Sequence, residues 1–345
     1  MLAGVLLKNN EDLNNIDVVI SDLLTQVDYE NSLKKCFENA FLVDEQKTSK
    51  VIDEINSTSH CYFLKPNTNN DDYCYKELAL LMLDELIKYV IPRSEIDRAE
   101  RLGDTEERLQ RLYKKAKRKM VDFYATKKEL EEKGEIEEYK SKSGEGGEEL
   151  LFLFAEQVLQ LPQALSKMNV KTSGKMHFHG ADGIHIELSE DKTKLALYYG
   201  EVKVYEDFNT AVNNCLSGIA PLLKREEKED GELDLLNSYC DLGELNAELV
   251  DKLKDYFDPD IPKCKELTEV RGLCLIGFNE SDFVKFDKEE TAKKIVEKST
   301  KWISHFKKKT IENNIETVYM HVVFIPMTCV QTFRDTFKNE LRNDD

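Results

Sequence analysis

Charged residues stand in this chain where a strand pattern calls for apolar ones. The segment Asp182-Gly-Ile-His-Ile-Glu-Leu188 is followed by a polar break from Ser189 to Lys194, and then by Leu195-Ala-Leu-Tyr-Tyr-Gly-Glu201-Val-Lys203-Val-Tyr205. A hairpin symmetric about that break, centred between Asp191 and Lys192, faces Leu188 with Leu195, Ile186 with Leu197, Ile184 with Tyr199 and Asp182 with Glu201. Opposed residues on one face have Cβ atoms roughly 4.5–5.5 Å apart, so both carboxylates can reach one hard cation that takes oxygen ligands. Lys203 follows on the same face, because side chains alternate along a strand. Carboxylates forced together raise one another's proton affinity, and a divalent ion plus an ammonium group relieves that repulsion. The combination reads as the hairpin of a metal-dependent nuclease.

Each part of the pattern is weak alone. Glu-x-Lys also occurs at Glu45–Lys47, Glu131–Lys133, Glu138–Lys140 and Glu226–Lys228, all in polar surroundings, and Asp182-Gly183 is a common turn dipeptide. Only Glu201–Lys203 lies in a strand flanked by apolar residues and faces a second acid. Glu148 is a further candidate, sharing a helical stripe with Leu151, Ala155 and Val158. The plainer reading of Glu148 is a favourable acid in a first helical turn, and Glu149 is the neighbouring alternative. His177 and His179 alternate on one strand segment near His185, which raises a zinc site. It lacks a placed fourth ligand, and Glu201 with Lys203 does not complete such a set.

The elements that must position these residues are legible as well. Residues 1–142 read as mainly helical, with a helix from Tyr75 to Val90 ended by Pro92 and a charged one from Ser94, a plausible N-cap, to about Glu138. Ser141 to Gly147 is the clearest linker and opens into a helix from Glu148 to Gln160. Strands are predicted at about 174–179, 183–188 and 195–205, a helix from Asn209 to Ala220 meeting Pro221, and an acidic insertion over Lys224 to Asp234. Further helices run to about Phe257; a strand over 269–278, a helix over 288–313, a strand over 317–327 and a closing helix complete the chain. The order predicts an α/β fold: a mixed sheet with an antiparallel hairpin, then crossover strands, and helices on both faces. Residues 1–142 would form a scaffold or partner-facing region and 143–345 the domain that carries the site.

With 345 residues, 41% of them hydrophobic, the chain can bury a sizeable core. No apolar run approaches the roughly 20 residues that span a bilayer, and Met1 to Lys8 lacks the flank and length of a signal peptide, so no membrane role and a cytoplasmic location are expected. Eight cysteines without a Cys-x-x-Cys pair suit reduced, mostly buried thiols. A net charge of −18 is an awkward background for an enzyme that approaches phosphates. Local basic stripes could offset it: Arg108, Arg111, Lys115 and Arg118, or Lys298, Lys301, Lys307, Lys308 and Lys309 around Trp302. The plainer and stronger reading of each stripe, taken separately, is an ordinary solvated helix face.

At these residues the sequence resembles the PD-(D/E)xK nuclease superfamily, with Ala181 where the superfamily label has Pro. More narrowly, Gly147-Glu148-Glu-Leu-Leu151, Gly180-Ala-Asp182-Gly-Ile-His185, Tyr199-Gly-Glu201-Val-Lys203-Val-Tyr205, Arg271 to Phe278 and His321 to Pro326 resemble the HamA family, nuclease subunits of the Hachiman antiphage systems. The resemblance spans roughly 145–330. It implies a restriction-endonuclease-like αβββαβ core and a DNA nuclease held inactive by a superfamily 2 helicase partner, HamB. The expected site is Mg²⁺-dependent, with Mn²⁺ able to substitute. Asp182, Glu201 and the Val202 carbonyl would be metal ligands, Lys203 would orient or help deprotonate the attacking water, and Glu148 would hold a second ion or a water on the first. The alternatives are a catalytically silent subunit that binds helicase or DNA, and an RNA-cutting toxin with the same residues.

Overall fold

The longest apolar runs become the middle of the sheet. In β10 (Thr268–Asn279) every residue from Gly272 to Phe278 is buried, and in β11 (Met320–Met327) every residue is. Such unbroken burial belongs to parallel strands covered on both faces. The computed structural model describes residues 5–6, 16–22, 37–47, 59–66, 68–69, 72–102, 105–132, 146–166, 181–188, 194–224, 251, 255, 268–285 and 288–343. The chain begins with β1 (Val5–Leu6), β2 (Ile16–Asp22), β3 (Phe37–Lys47), β4 (Ser59–Pro66) and a short pair, β5 (Thr68–Asn69) with β6 (Asp72–Tyr73). Four helices follow, α1 (Tyr75–Asp84), α2 (Leu86–Val90), α3 (Arg93–Arg101) and α4 (Thr105–Glu132). Then come α5 (Gly147–Gln157), β7 (Gln163–Ser166), β8 (Gly183–Leu188), β9 (Leu195–Val204), α6 (Phe208–Leu223), β10, a 3-10 turn at Ser281–Lys285, α7 (Lys288–Glu312), β11 and α8 (Val330–Arg342).

Among the described residues nine strands form one mixed sheet in the order β1-β2-β3-β4-β11-β10-β9-β8-β7. The central neighbours β4–β11, β11–β10 and β10–β9 are parallel, and the outer pairs are antiparallel. One face is covered by α1, α2, α4, α5 and α8, whose Leu78, Tyr89, Met120, Leu150 and Phe333 pack with Tyr198, Val202 and Val204 of β9. The other is covered by α6 and α7, whose Val212, Leu216, Trp302 and Phe306 pack with Leu197 and Tyr199. The α/β class, the mixed sheet and the αβββαβ order of the second half follow the sequence pattern.

Several details differ from the reading of the sequence. The first part of the chain adds β1 to β4 to the sheet, and among the described residues the first helix starts at Tyr75; the apolar stretches there, such as Val18-Val-Ile20 and Phe41-Leu-Val43, are too short to declare a period. The sheet and its α5-side core are therefore shared by residues on both sides of position 142. The helix expected over 75–90 is broken at Glu85, and Pro92 rather than Ser94 sits at the N-cap position of α3. Helix α6 continues through Pro221 to Leu223, since a proline in a last turn forfeits only one helical hydrogen bond. The strand expected at 174–179 and the insertion at 225–234 lie outside the described residues, and the first strand seen after α5 is β7. Of the cysteines described, Cys61, Cys215 and Cys274 are buried, Cys74 and Cys329 are partly so, and all five are free thiols.

Candidate active site

The hairpin register is the one the alternation predicted: Leu188 faces Leu195, Ile186 faces Leu197, Ile184 faces Tyr199 and Gly183 faces Gly200. The ladder ends at that pair, and Asp182 follows it directly. The Asp182 amide donates to the Gly200 carbonyl at 2.7 Å, and the Val202 amide donates to Asp182 Oδ2 at 2.8 Å. Both acids are buried, Asp182 at 6% and Glu201 at 7% exposure. Lys203 Nζ donates to Glu201 Oε1. Burial opposes the charge on Lys203, but the Glu201 and Asp182 carboxylates more than offset it and hold the ammonium's pKa above its usual value.

Two helices press on this stretch of β9 from opposite faces, each through a glycine. A Cβ on Gly147 at the start of α5 would lie 2.7 Å from Val202 Cγ1, and a Cβ on Gly218 in α6 would lie 2.7 Å from Glu201 Oε1. The missing side chains let α5 and α6 close on adjacent residues, with the Glu201 carboxylate lying under α6. Helix α6 is fixed at its start by Asp207, whose Oδ1 accepts from the Thr210 amide and hydroxyl at 2.7 Å each. The Cys215 thiol lies 3.7 Å from the Glu201 carbonyl.

Glu148 lies in the first turn of α5, next to Gly147, and accepts from the Tyr89 hydroxyl at 3.4 Å. Its neighbour Glu149 is 1% exposed, and neither carboxyl oxygen has a hydrogen-bond partner among the described residues. Burial first, then the charge of Glu85, raises its pKa well above the ordinary carboxyl value. Helical spacing alone could not separate these adjacent acids; their burial does, with Glu148 half-buried beside Tyr89 and Glu149 in the core. Tyr89 and Gly218 had no signal in the sequence, because each matters only through contacts distant along the chain.

His185 points to the α5 side of the hairpin, away from Asp182, and its Nδ1 is hydrogen-bonded to the Leu161 carbonyl at 3.0 Å, with burial lowering its pKa. His177 and His179 lie outside the described residues. Among the described residues no group of three or more His, Cys, Asp or Glu side chains is placed to hold a metal ion. Zinc, which takes four nitrogen- or sulfur-rich ligands, does not fit them. Mg²⁺ or Mn²⁺ fits better: Mg²⁺ keeps several waters and is held by one or two carboxylates together with substrate phosphates. Asp182 and Glu201 are the two carboxylates such an ion would use here.

The basic stripes are mostly tied up. Arg111 pairs with Glu107, Lys115 with Glu95, Lys298 with Glu280 and Asp282, and Lys308 and Lys309 with Glu312. Trp302 is a core residue against Phe63, Phe208 and Phe278 and offers no face to a base. No described helix is long and apolar enough to cross a membrane.

Fold and site define a mixed α/β protein with a buried acid pair and a lysine on one hairpin. Residues 26–341 match the HamA family model, and the chain belongs to the HamA family. That membership marks it as a Hachiman defence component. No curated protein and no solved structure matches it.

Proposed function

We propose that this chain is a metal-dependent DNA nuclease that cleaves phosphodiester bonds within a defence complex and is restrained there by a helicase partner, HamB. The observation that carries the reading is the burial of both Asp182 and Glu201 at one end of the hairpin, with the Lys203 ammonium on Glu201. Two carboxylates and an ammonium gathered where water screens poorly are a set that a divalent cation complements. When bound, the cation supplies electrostatic stabilisation of the charge that develops on the phosphate. The protein's part is to hold Asp182 by the Val202 amide, to hold Glu201 by Lys203 and the floor at Gly218, and to keep an ammonium beside the reacting phosphate. Lys203 would orient or help deprotonate the attacking water and offset charge at the phosphate. The Val202 carbonyl and Glu148 complete the proposed oxygen set.

A second reading, a nuclease-fold subunit that binds helicase or DNA without cutting, is favoured by the lack of a three-ligand group among the described residues. The two separate on incubation of purified protein, alone and with its helicase, with linear, nicked and supercoiled DNA and with RNA, in Mg²⁺ and in EDTA. DNA cleavage in Mg²⁺ alone supports the first reading. Binding without cleavage under every condition supports the second, and cleavage confined to RNA points to an RNA-cutting toxin.

A further inference from the structure

The outward positions of a helix are ordinarily filled by Glu, Lys, Arg or Gln, which favour the helix and keep its polar face wet. In a chain 34% charged, α6 holds no charged residue anywhere from Phe208 to Leu223. It is not a buried helix. One side, with Val212, Cys215, Leu216 and Ile219, is packed on the sheet, while Asn209, Thr210, Asn213, Ser217 and Gly218 are exposed on the other. Asn, Thr, Ser and Gly are poorer helix formers than the charged residues they replace, so this surface forgoes both charge and local propensity. Thr210 has a local duty at the Asp207 cap; Asn213 and Ser217, a turn apart, fill no gap in the core. A local rule set aside without a packing gain points to a working surface.

The same face passes over the proposed site. Gly218 is exposed, and a Cβ there would lie 2.7 Å from Glu201 Oε1, so the outward side of α6 runs directly above that carboxylate. DNA presents a dense row of phosphates, which a net charge of −18 repels at long range. A phosphate backbone lies close to such a protein only where carboxylates are absent and donors are at hand, and Asn amides and Ser or Thr hydroxyls are among the side chains that contact phosphate oxygens. We propose that the exposed, uncharged face of α6, centred on Asn213 and Ser217, is the surface that receives the phosphate backbone of the DNA substrate beside Glu201. The proposal rests on the nuclease reading above and gives its substrate a track across one face of the sheet.

The test adds charge to that face in the full-length chain, used alone or with its helicase, whichever form of the parent cleaves. Asn213→Lys, Ser217→Lys and Asn213→Asp are compared with Asn339→Lys and Asn339→Asp, at an exposed asparagine of α8 on the opposite face of the sheet. Lysine is a better helix former than Asn or Ser, so the Lys variants keep the helix. The readouts are kcat and KM for DNA in Mg²⁺ over a range of salt. A lysine that meets a phosphate displaces a counterion, so Asn213→Lys and Ser217→Lys should each lower KM and steepen the slope of log KM against log salt by about 0.9. Asn213→Asp should raise KM about fivefold with kcat unchanged, the effect of one unit charge about 4 Å from another in water. The Asn339 variants should match the parent. Slopes and KM values at 213 and 217 equal to the parent's overturn the proposal and leave the nuclease intact. So does loss of helicase binding in these variants with the salt slope unchanged, which would make α6 a protein-docking face. A parent that cleaves no DNA in either form overturns both readings.

Discussion

Strand β9 carries two groups of polar side chains, three positions apart, that differ in kind. At Tyr198 the groups satisfy one another in a closed network. Arg271 donates to Glu187 Oε2 at 2.8 Å, to the Tyr198 hydroxyl at 2.6 Å and to Glu269 Oε2 at 2.7 Å, and its guanidinium lies over the rings of Tyr198 and Tyr319 at 5.4 and 4.8 Å. The Glu187 and Glu269 side chains are 48% and 55% exposed, so water screens their surplus charge. At Glu201 the setting differs: Asp182 and Glu201 are buried, and Lys203 pairs with Glu201. The contrast teaches which cluster is fastening and which is site. An exposed network can carry excess carboxylate at little cost, whereas a buried one holds it only with a partner of opposite charge.

Four substitutions break or sharpen that contrast. The largest effect is expected at Lys203→Ala, which should lower Mg²⁺-dependent cleavage by about 10²- to 10³-fold or more while keeping a cooperative melt; cleavage equal to the parent's would contradict the assignment. Gly218→Ala comes next. The new methyl meets only the far end of the Glu201 side chain, and alanine is the better helix former by about 1 kcal/mol, so Tm should hold or rise while activity falls about 10- to 100-fold.

Glu149→Gln should act in the opposite sense, on stability alone. Its folded pKa is raised, so between the unfolded value near 4.5 and the folded value the native state binds the extra proton. Stability therefore falls as pH rises through that window, by up to about 1.4 kcal/mol per pH unit for one group. Glu149→Gln should flatten the fall, read as Tm against pH and as a higher Tm at neutral pH. The smallest effect is expected at Arg271→Lys, which loses the guanidinium fork: each half-exposed pair there is worth on the order of 0.2–1 kcal/mol, and cleavage should not change.

Much of the site was legible because period-2 alternation and a compact polar break determine a hairpin register from local sequence. Asp182, Glu201 and Lys203 needed nothing more to be placed on one face, and the runs at 269–278 and 317–327 declared themselves as buried strands by length alone. The strands of the first 66 residues were missed for the opposite reason: their pairing partners are distant, and Ser59–Pro66 lies beside β11 only after some 250 residues of chain have folded. Glu148 and Glu149 illustrate the limit at a single site. Adjacent acids on one helix turn have the same composition and nearly the same stripe, and only tertiary packing decides which meets Tyr89 of α2 and which is sealed away. The clearances at Gly147 and Gly218 belong to the same class, since a close approach is a property of two elements and leaves no mark on either.

The central claim is that Asp182 and Glu201 form a divalent-cation site. Calorimetric titration of Mn²⁺ into the parent chain, Asp182→Asn and Glu201→Gln tests it most directly. The account predicts saturable binding to the parent that is lost in both variants, with all three proteins melting cooperatively. Equal binding by the parent and the two variants, or none by the parent in the presence of DNA, would contradict it.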